Sequence, residues 1–306
     1  MFLSSISLFK RSLVLLLFLF GLILPACSAS PPPAVDISAQ SPQTPSQTSV
    51  QRVVALTSLS ADIVHRLAPD KLVGMPESSL FKDNAKLKDT PKVSGGRVAP
   101  NLEKILSLKP DLVIGAERFH EATKTKLAEL KIPCELFDVR DWQSLEETTR
   151  AIAEKVSAEP QPLLQKYQAM RQNIPKNAPK TLVLVSRQPI LSPNKNSWAG
   201  ALLESFNIPN LAADLQGASP IQGYVSLSPE SVLKANPEAI ALVETPMPNS
   251  NILKEFANEP FWQNLKAVKD KQIYVFDYYG LVNPGSIDSI ETATQKLRQL
   301  ANKQAS

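Results

Sequence analysis

Residues 101–114 read NLEKILSLKPDLVI, and a similar segment, SPESVLKANPE, occupies residues 228–238. Each segment opens with a residue that commonly caps helices. Each also places a glutamate, Glu103 or Glu230, at the second helical position, where the helix dipole favours negative charge. Both then continue into proline, an acid and an apolar stretch, and the glutamates are 230 minus 103, or 127, residues apart. Two ordinary helix starts would account for the glutamates but not for this shared order, so the pair predicts two related halves.

Short apolar runs alternate with helical patterns around both segments. Strands are predicted at residues 53–56, 71–74, 111–114, 134–137, 181–186, 239–243 and 272–277. Strands that alternate with helices indicate parallel sheets covered on both faces. The stretch from residue 142 to residue 173 is almost entirely helical, broken only at EPQP, residues 159–162. The sequence therefore predicts an α/β fold with two three-layer lobes of mainly parallel sheet, residues 52–158 and 179–306, joined by a single long bridging helix at residues 159–178.

The first 51 residues predict an export signal followed by a tether. Lys10 and Arg11 precede an apolar run that is short for a membrane span, which needs about 20 apolar residues. The run ends in LPAC, residues 24–27, which resembles the lipobox of bacterial lipoproteins. We therefore expect a signal peptide at residues 1–26, lipid on Cys27 and a disordered tether over residues 27–51. The alternatives are an uncleaved anchor and an ordinary signal peptide in which the cysteine is fortuitous. This places the protein on the outer face of the cytoplasmic membrane, in the periplasm or cell envelope.

Charge and reactive residues exclude several classes of function. Removing residues 1–26 leaves 33 minus 2, or 31, basic groups against 29 acidic ones, a balance that argues against nucleic acid as a partner. If Cys27 carries lipid, Cys134 has no disulfide partner and is expected to be a small buried residue of a strand. His65 and His120 are the only histidines, so no zinc or manganese cage is expected. No nucleophile elbow, phosphate loop or H-E-x-x-H pair is present, so we expect neither an enzyme nor a cofactor.

The chain resembles the iron-siderophore and vitamin B12 periplasmic-binding family from Arg52 to Gln299. The resemblance rests on PKVSGG at residues 91–96, NLEKILSLKPDLVI at 101–114, RVVAL at 52–56 and FWQNLKAV at 261–268. It implies two α/β lobes joined by one long helix, with ligand held in the cleft between them. It also implies one exposed glutamate per lobe that pairs with arginines of a permease, and by motif position these are Glu103 and Glu230.

The same resemblance implies where ligand contacts lie. Family members commonly present a contact six residues before each glutamate, which corresponds to Arg97 and Tyr224. Arginine there is similar to the ferric-hydroxamate binders, since a guanidinium offers forked donors to the oxygens around chelated iron. Loops that follow predicted strands, where open α/β sheets bind ligands, supply the other candidates. These are Arg118, Phe119, Arg187, Tyr278 and Tyr279, with Trp198 as a wall of the cleft, whereas Trp142 and Trp262 are assigned to packing.

These features predict the solute-binding component of an ABC importer that captures a ferric siderophore. The expected partners are the ferric chelate and an ABC permease dimer with its ATPase subunits, and the protein itself is expected to be a monomer without a metal site of its own. Cobalamin or haem binding by the same type of importer is the alternative. A non-transport lipoprotein, or a hydrolase that uses Ser94 with His120, is the alternative of a different class. The sequence does not distinguish hydroxamate, catecholate, citrate, haem and corrinoid ligands.

Overall fold

The computed structural model describes residues 50–95, 98–217, 219, 221–245 and 252–303. Residues 48–306 form one compact unit. The predicted signal peptide, the predicted lipidation site Cys27, nearly all of the predicted tether and Arg97 lie outside the described residues. The two described residues of the tether range, Val50 and Gln51, already contact the folded body, since Val50 packs against the core and the Gln51 amide donates to Asp111. Within the described part of the chain, no helix is long and apolar enough to span a membrane.

Strands and helices alternate along the chain as the sequence predicts. The strands are β1 Val53–Ala55, β2 Leu72–Pro76, β3 Lys92–Ser94, β4 Leu112–Ala116, β5 Cys134–Phe137, β6 Thr181–Leu184, β7 Ser186–Arg187, β8 Ile190–Pro193, β9 Tyr224–Leu227, β10 Ala239–Glu244 and β11 Ile273–Asp277. The helices are α1 Ser58–Leu67, α2 Ala85–Lys88, α3 Leu102–Ser107, α4 Glu121–Glu129, α5 Trp142–Lys155, α6 Gln161–Met170, α7 Trp198–Ser205, α8 Pro229–Ala235, α9 Ile252–Ala257, α10 Lys266–Lys269, α11 Tyr278–Leu281 and α12 Ile287–Ala301.

The strands form separate sheets in the two halves of the chain. The first half has a parallel five-stranded sheet in the order β3-β2-β1-β4-β5. The second half has a parallel three-stranded sheet, β11-β10-β6, and an antiparallel sheet, β7-β8-β9. The α/β fold with mainly parallel sheets is therefore confirmed, while β3 and the antiparallel sheet were not predicted.

The acid of each repeated segment, Asp111 or Glu238, holds the chain at the start of its lobe. A carboxylate oxygen of Asp111 accepts hydrogen bonds from the backbone amides of Gln51, at 2.8 Å, and Arg52, at 2.9 Å. In the second lobe a carboxylate oxygen of Glu238 accepts from the backbone amide of Lys180, also at 2.9 Å. The repeated acid thus holds the chain just ahead of the first strand of each lobe, which gives this part of the repeat a structural role.

One apolar core connects the two halves. The largest cluster of buried side chains includes β1 and α1 of the first half and α7 and α12 of the second. Trp142 lies inside it, 5.7 Å from Trp198 between ring centroids, and donates from its indole nitrogen to Ser205 at 3.1 Å. Trp142 and Trp262 are both buried, which confirms their assignment to packing. The bridging helix was predicted at residues 159–178. In this range α6 covers residues 161–170 and no other helix or strand covers the rest, so the role of the range as the bridge between the lobes stays a prediction.

Cys134 begins β5 and is half-buried against an apolar cluster, rather than fully buried. Burial raises the pKa of its thiol to about 11. A free cysteine has a pKa of about 8.5, and alkylating reagents attack the thiolate. We therefore expect Cys134 in the folded unit of residues 48–306 to react with iodoacetamide at pH 8 at least about 100-fold more slowly than in urea. Equal rates in buffer and in urea would contradict the burial of this thiol.

Candidate functional site

A cavity of about 520 Å³ lies between residues of the two halves. The first half contributes Ser79 and Leu80, which follow β2, and the second half contributes residues at the carboxyl ends of β10 and β11 and along the start of α12. The second-half residues that line it are Glu244, Thr245, Asp277, Tyr278, Tyr279, Ser286, Asp288, Ser289 and Thr292. The cavity therefore occupies the edge at which parallel sheets of this type bind ligands, and we refer to the gap between the lobes here as the cleft.

Tyr278 and Tyr279 sit side by side at this edge, with ring centroids 5.4 Å apart. Gly280 turns the chain after them with a φ of +95°, and a Cβ there would lie 2.1 Å from the carbonyl oxygen of Ser289. Only glycine fits this left-handed position, because every other side chain would clash with α12. Tyr224 is half-buried close enough to Tyr278 to interact with it electrostatically, and burial raises the pKa of Tyr224. Three of the predicted ligand contacts therefore lie together.

Trp198 is not a wall of the cleft, so this prediction is wrong. Its side chain is only 4% exposed, and its indole nitrogen donates to the carbonyl oxygen of Gly280 at 2.8 Å. It packs in the shared core because it begins the apolar helix α7, in which Leu202, one turn later, is also buried. Trp198 supports the turn that carries the tyrosines without facing the ligand space.

Arg118 and Phe119 follow β4 in the first lobe. The Arg118 guanidinium donates to Gln222 Oε1 at 2.6 Å and to Asp138 Oδ2 at 2.6 Å, so it joins loops of both lobes. Phe119 is 82% exposed, the most exposed of the large apolar side chains in the described chain. Gln222 is two residues before Tyr224, so Arg118 contacts the segment that leads into β9.

Arg187 is engaged elsewhere in the second lobe. Its side chain is 16% exposed and forms a 2.6 Å ion pair with Glu259, whose other carboxylate oxygen accepts from the indole nitrogen of Trp262 at 2.7 Å. These contacts give Arg187 a structural role, and its ligand contact stays a prediction. Arg97, the arginine implied by the family motif, lies outside the described residues.

The acids that line the cavity, Glu244, Asp277 and Asp288, were not among the site residues predicted from the sequence. Asp277 pairs with Lys296 at 3.2 Å, and Asp288 pairs with Arg66 at 2.7 Å and with Lys166 at 3.3 Å. Burial alone would raise the pKa of Asp288, but these two cations outweigh it and lower the pKa overall. Glu244 and Asp277 are the last residues of β10 and β11, a position that was readable from the predicted strands. The cavity wall is therefore rich in hydrogen-bond acceptors.

His120 accepts a hydrogen bond at Nδ1 from the Ala116 amide, 3.0 Å away, and burial lowers its pKa. The imidazole is therefore neutral at neutral pH and helps to shape the loop that carries Arg118 and Phe119. Within the described ranges, no three side chains of His, Cys, Asp or Glu come together in a way that would hold a metal ion.

Glu103 and Glu230 occupy equivalent places in the two lobes. Asn101 caps α3 by accepting from the Lys104 amide at 2.9 Å, and Ser228 caps α8 by accepting from the Ser231 amide at 3.1 Å. Each glutamate is exposed at the second helical residue. The predicted caps and helical positions are confirmed, and both carboxylates are accessible to a partner.

Comparison with known proteins agrees with this architecture. The model of the family described as "Periplasmic binding protein" matches residues 53–279. The ABC transporter substrate-binding lipoprotein YvrC of Bacillus subtilis is 26% identical over 243 residues, which cover 74% of this chain and 73% of that protein. The iron-uptake system-binding protein of the same organism is 26% identical over 236 residues, with 72% of each chain covered.

Two solved structures share the fold. An ABC transporter substrate-binding protein from Listeria monocytogenes has a TM-score of 0.66 at 20% identity, covering 82% of this chain and 98% of its own. The periplasmic vitamin B12 binding protein BtuF of Vibrio cholerae has a TM-score of 0.63 at 21% identity, covering 84% and 99%.

The family match, the paired lobes and the cavity between them define an extracytoplasmic solute-binding protein of the ABC importer class. The chain belongs to the periplasmic binding protein family, which confirms the resemblance seen in the sequence.

Proposed function

We propose that this protein captures a chelated iron complex, a ferric siderophore, in the cleft and delivers it to an ABC permease dimer with its ATPase subunits. The observation that carries the proposal is the pair of neighbouring rings of Tyr278 and Tyr279 on the wall of the cavity between the two halves, with Tyr224 close to Tyr278. Aromatic rings pack against the organic part of a chelate, while the guanidinium of Arg97, the arginine implied by the family motif, would contact the oxygens around the metal. The similarity to the iron-uptake system-binding protein of Bacillus subtilis supports the same ligand class.

The place of the protein in the envelope is part of the proposal. A monomer tied to the outer face of the cytoplasmic membrane by lipid on Cys27 would stay close to its permease. The similarity to the substrate-binding lipoprotein YvrC supports this anchor. Glu103 and Glu230 would dock one lobe each on arginines of the permease.

Haem or cobalamin is the second candidate ligand. The relative IsdE of Staphylococcus aureus, 24% identical over 238 residues, is named as a high-affinity heme uptake protein. The exposed ring of Phe119 and the neighbouring rings of Tyr278 and Tyr279 offer flat apolar surfaces that suit a macrocycle. This candidate differs from the first in needing an extended apolar face on the ligand.

Tryptophan fluorescence distinguishes the two candidates. The indole of Trp198 donates to the carbonyl of Gly280, next to Tyr279, so occupancy of the cleft should change its emission. We expect a ferric trihydroxamate to quench the unit of residues 48–306 saturably with a dissociation constant of about 1 μM or lower. The metal-free trihydroxamate is the control, and cobalamin, haem, ferric citrate and a ferric catecholate are titrated in parallel. Saturable binding of haem or cobalamin alone would replace the siderophore proposal with the second candidate.

Arg97 provides a residue-level test. A charge-assisted hydrogen bond is worth about 1.5–3 kcal/mol, so Arg97→Ala should weaken binding of the ferric trihydroxamate by about 10-fold to 100-fold. The unfolding midpoint should stay the same. Lys124→Ala, which removes an exposed cation of α4, is the matched control. Unchanged affinity in the Arg97 variant would remove this residue from the site.

A further inference from the structure

We infer that Arg118, Asp138 and Gln222 form a clasp that ties the two lobes across the opening of the cleft. Arg118 is then a positioning residue that sets lobe spacing and ligand exchange, instead of a primary ligand contact. The effect on ligand exchange rests on the proposed function, whereas the effect on lobe spacing does not.

The Arg118 guanidinium makes both hydrogen bonds of the clasp. Arg118 has a φ of +65°, a left-handed conformation that is uncommon for a residue with a side chain. Asp138, just after β5 of the same lobe, accepts from one of its terminal nitrogens, and Gln222, just before β9 of the other lobe, accepts from the other. Arg140 also contacts Asp138 at 3.1 Å. Arg118 is thus fixed to its own lobe by a charged partner and reaches the opposite lobe through a neutral amide.

Asp138 is charged and Gln222 is neutral, and this difference decides which of the two contacts of Arg118 opens more readily. A hydrogen bond between two ionised groups is stronger than one between an ionised group and an amide. The Arg118 side chain is 45% exposed, so water competes with Gln222 for the guanidinium. Buried contacts also join the halves, for example from Asp62 to the Ile287 amide at 2.7 Å, and these do not exchange readily with water. The Arg118–Gln222 contact therefore opens more readily than the Arg118–Asp138 contact and than the buried Asp62–Ile287 contact.

Exposed apolar side chains flank both ends of this contact. Phe119 follows Arg118 and is 82% exposed, and Ile221 precedes Gln222 and is 49% exposed. A ligand that covers exposed apolar groups removes them from water, which lowers the free energy of the complex. The clasp joins the two loops that carry these exposed side chains, so the favoured ligand presents an apolar face toward the opening of the cleft.

The lobe spacing can be measured without any ligand. Spin labels are attached at Lys126→Cys of α4 and Lys234→Cys of α8, which are exposed in opposite lobes, in the unit of residues 48–306 with Cys134→Ala. That unit contains all three apolar core clusters of the described chain. We expect Gln222→Ala to lengthen and broaden the interlobe distance distribution in a pulsed dipolar measurement. Gln222→Glu, which makes the partner of Arg118 charged, should narrow it.

Matched variants separate the clasp from a general effect. Gln216→Ala removes an exposed glutamine a few residues away and should leave the distance distribution unchanged. Asp138→Asn weakens the contact that holds Arg118 to its own lobe, and it should broaden the distance distribution as Gln222→Ala does. The same distribution in Gln222→Ala and the parent protein would overturn the clasp, whatever the protein binds.

Exchange kinetics test the consequence for the ligand. With a ferric trihydroxamate, followed by stopped-flow tryptophan fluorescence, Gln222→Ala should raise both the association and the dissociation rate constants at least about 3-fold. A rise in the dissociation rate constant alone would make this side chain a ligand contact and would overturn the positioning role. If the trihydroxamate does not bind at all, the proposed ligand class fails while the distance measurement still decides on the clasp.

Discussion

Replacing Asp62 with alanine is expected to lower the free energy of unfolding by about 3 kcal/mol. The Asp62 side chain is 4% exposed and accepts from the Arg66 Nε atom at 2.9 Å and from the Ile287 amide at 2.7 Å. Ile287 is the first residue of α12, and its amide has no partner within the helix. The variant therefore leaves a buried donor unpaired and weakens the attachment of the last helix to the first lobe.

Chemical denaturation of the unit of residues 48–306 measures this effect. Asp62→Asn keeps one acceptor oxygen for the Ile287 amide and should cost about half as much as alanine. Asp270→Ala is the matched control, because Asp270 also pairs with a cation four residues away, Lys266, but both side chains are about half exposed. An exposed pair contributes little to stability, because water screens its charges. Similar losses in Asp62→Ala and Asp270→Ala would show that the buried contact between the halves carries no special stability.

Replacing both Glu103 and Glu230 with alanine should reduce uptake to the level of cells that lack the protein, while ligand binding changes less than about 2-fold. Close charge pairs at interfaces have coupling energies of about 1.5–7 kcal/mol, so losing both carboxylates removes most of the docking free energy. Neither side chain lines the cavity, which is why binding should be spared. Each single variant should transport at an intermediate rate.

Uptake of the labelled ferric complex is measured in cells that carry the cognate permease, with the binding titration run on the same variants. Glu129→Ala, an exposed acid near the end of α4, is the control for loss of negative charge. Transport at the parent rate by the double variant would show that the two glutamates serve only their helices, as first-turn acids that interact with the helix dipole.

Local signals accounted for much of the architecture. Each of the seven strands predicted from apolar runs overlaps a strand of the structure, and the caps at Asn101 and Ser228 form as expected. Short elements such as β3 and β7 were missed because two or three residues do not establish a period. The hydrogen bonds that Asp111 and Glu238 accept from backbone amides ahead of β1 and β6 were also missed, since they join residues about 60 positions apart.

The candidate site was predicted less completely. Tyr278 and Tyr279 follow a strand and line the cavity, since a parallel sheet brings its strand ends to one edge. Phe119 also follows a strand and is exposed, and its ligand contact stays a prediction. Trp198 was also assigned to the cleft but is buried, and its i, i+4 spacing to Leu202 was the signal that it packs in the core. Asp277 was overlooked because it was counted as the end of the predicted strand 272–277, and Glu244 because it lies one residue beyond the predicted strand 239–243.

The sequence by itself determined the elements and their repetition, because helix caps, apolar periods and proline positions act within a few residues of one another. The tertiary structure decided which side chains meet. Arg66 pairs with Asp288 across 222 positions, and Arg118 reaches Gln222 across 104. Such contacts depend on how the two halves pack on their shared core. The spacing of residues within one helix or strand does not specify them.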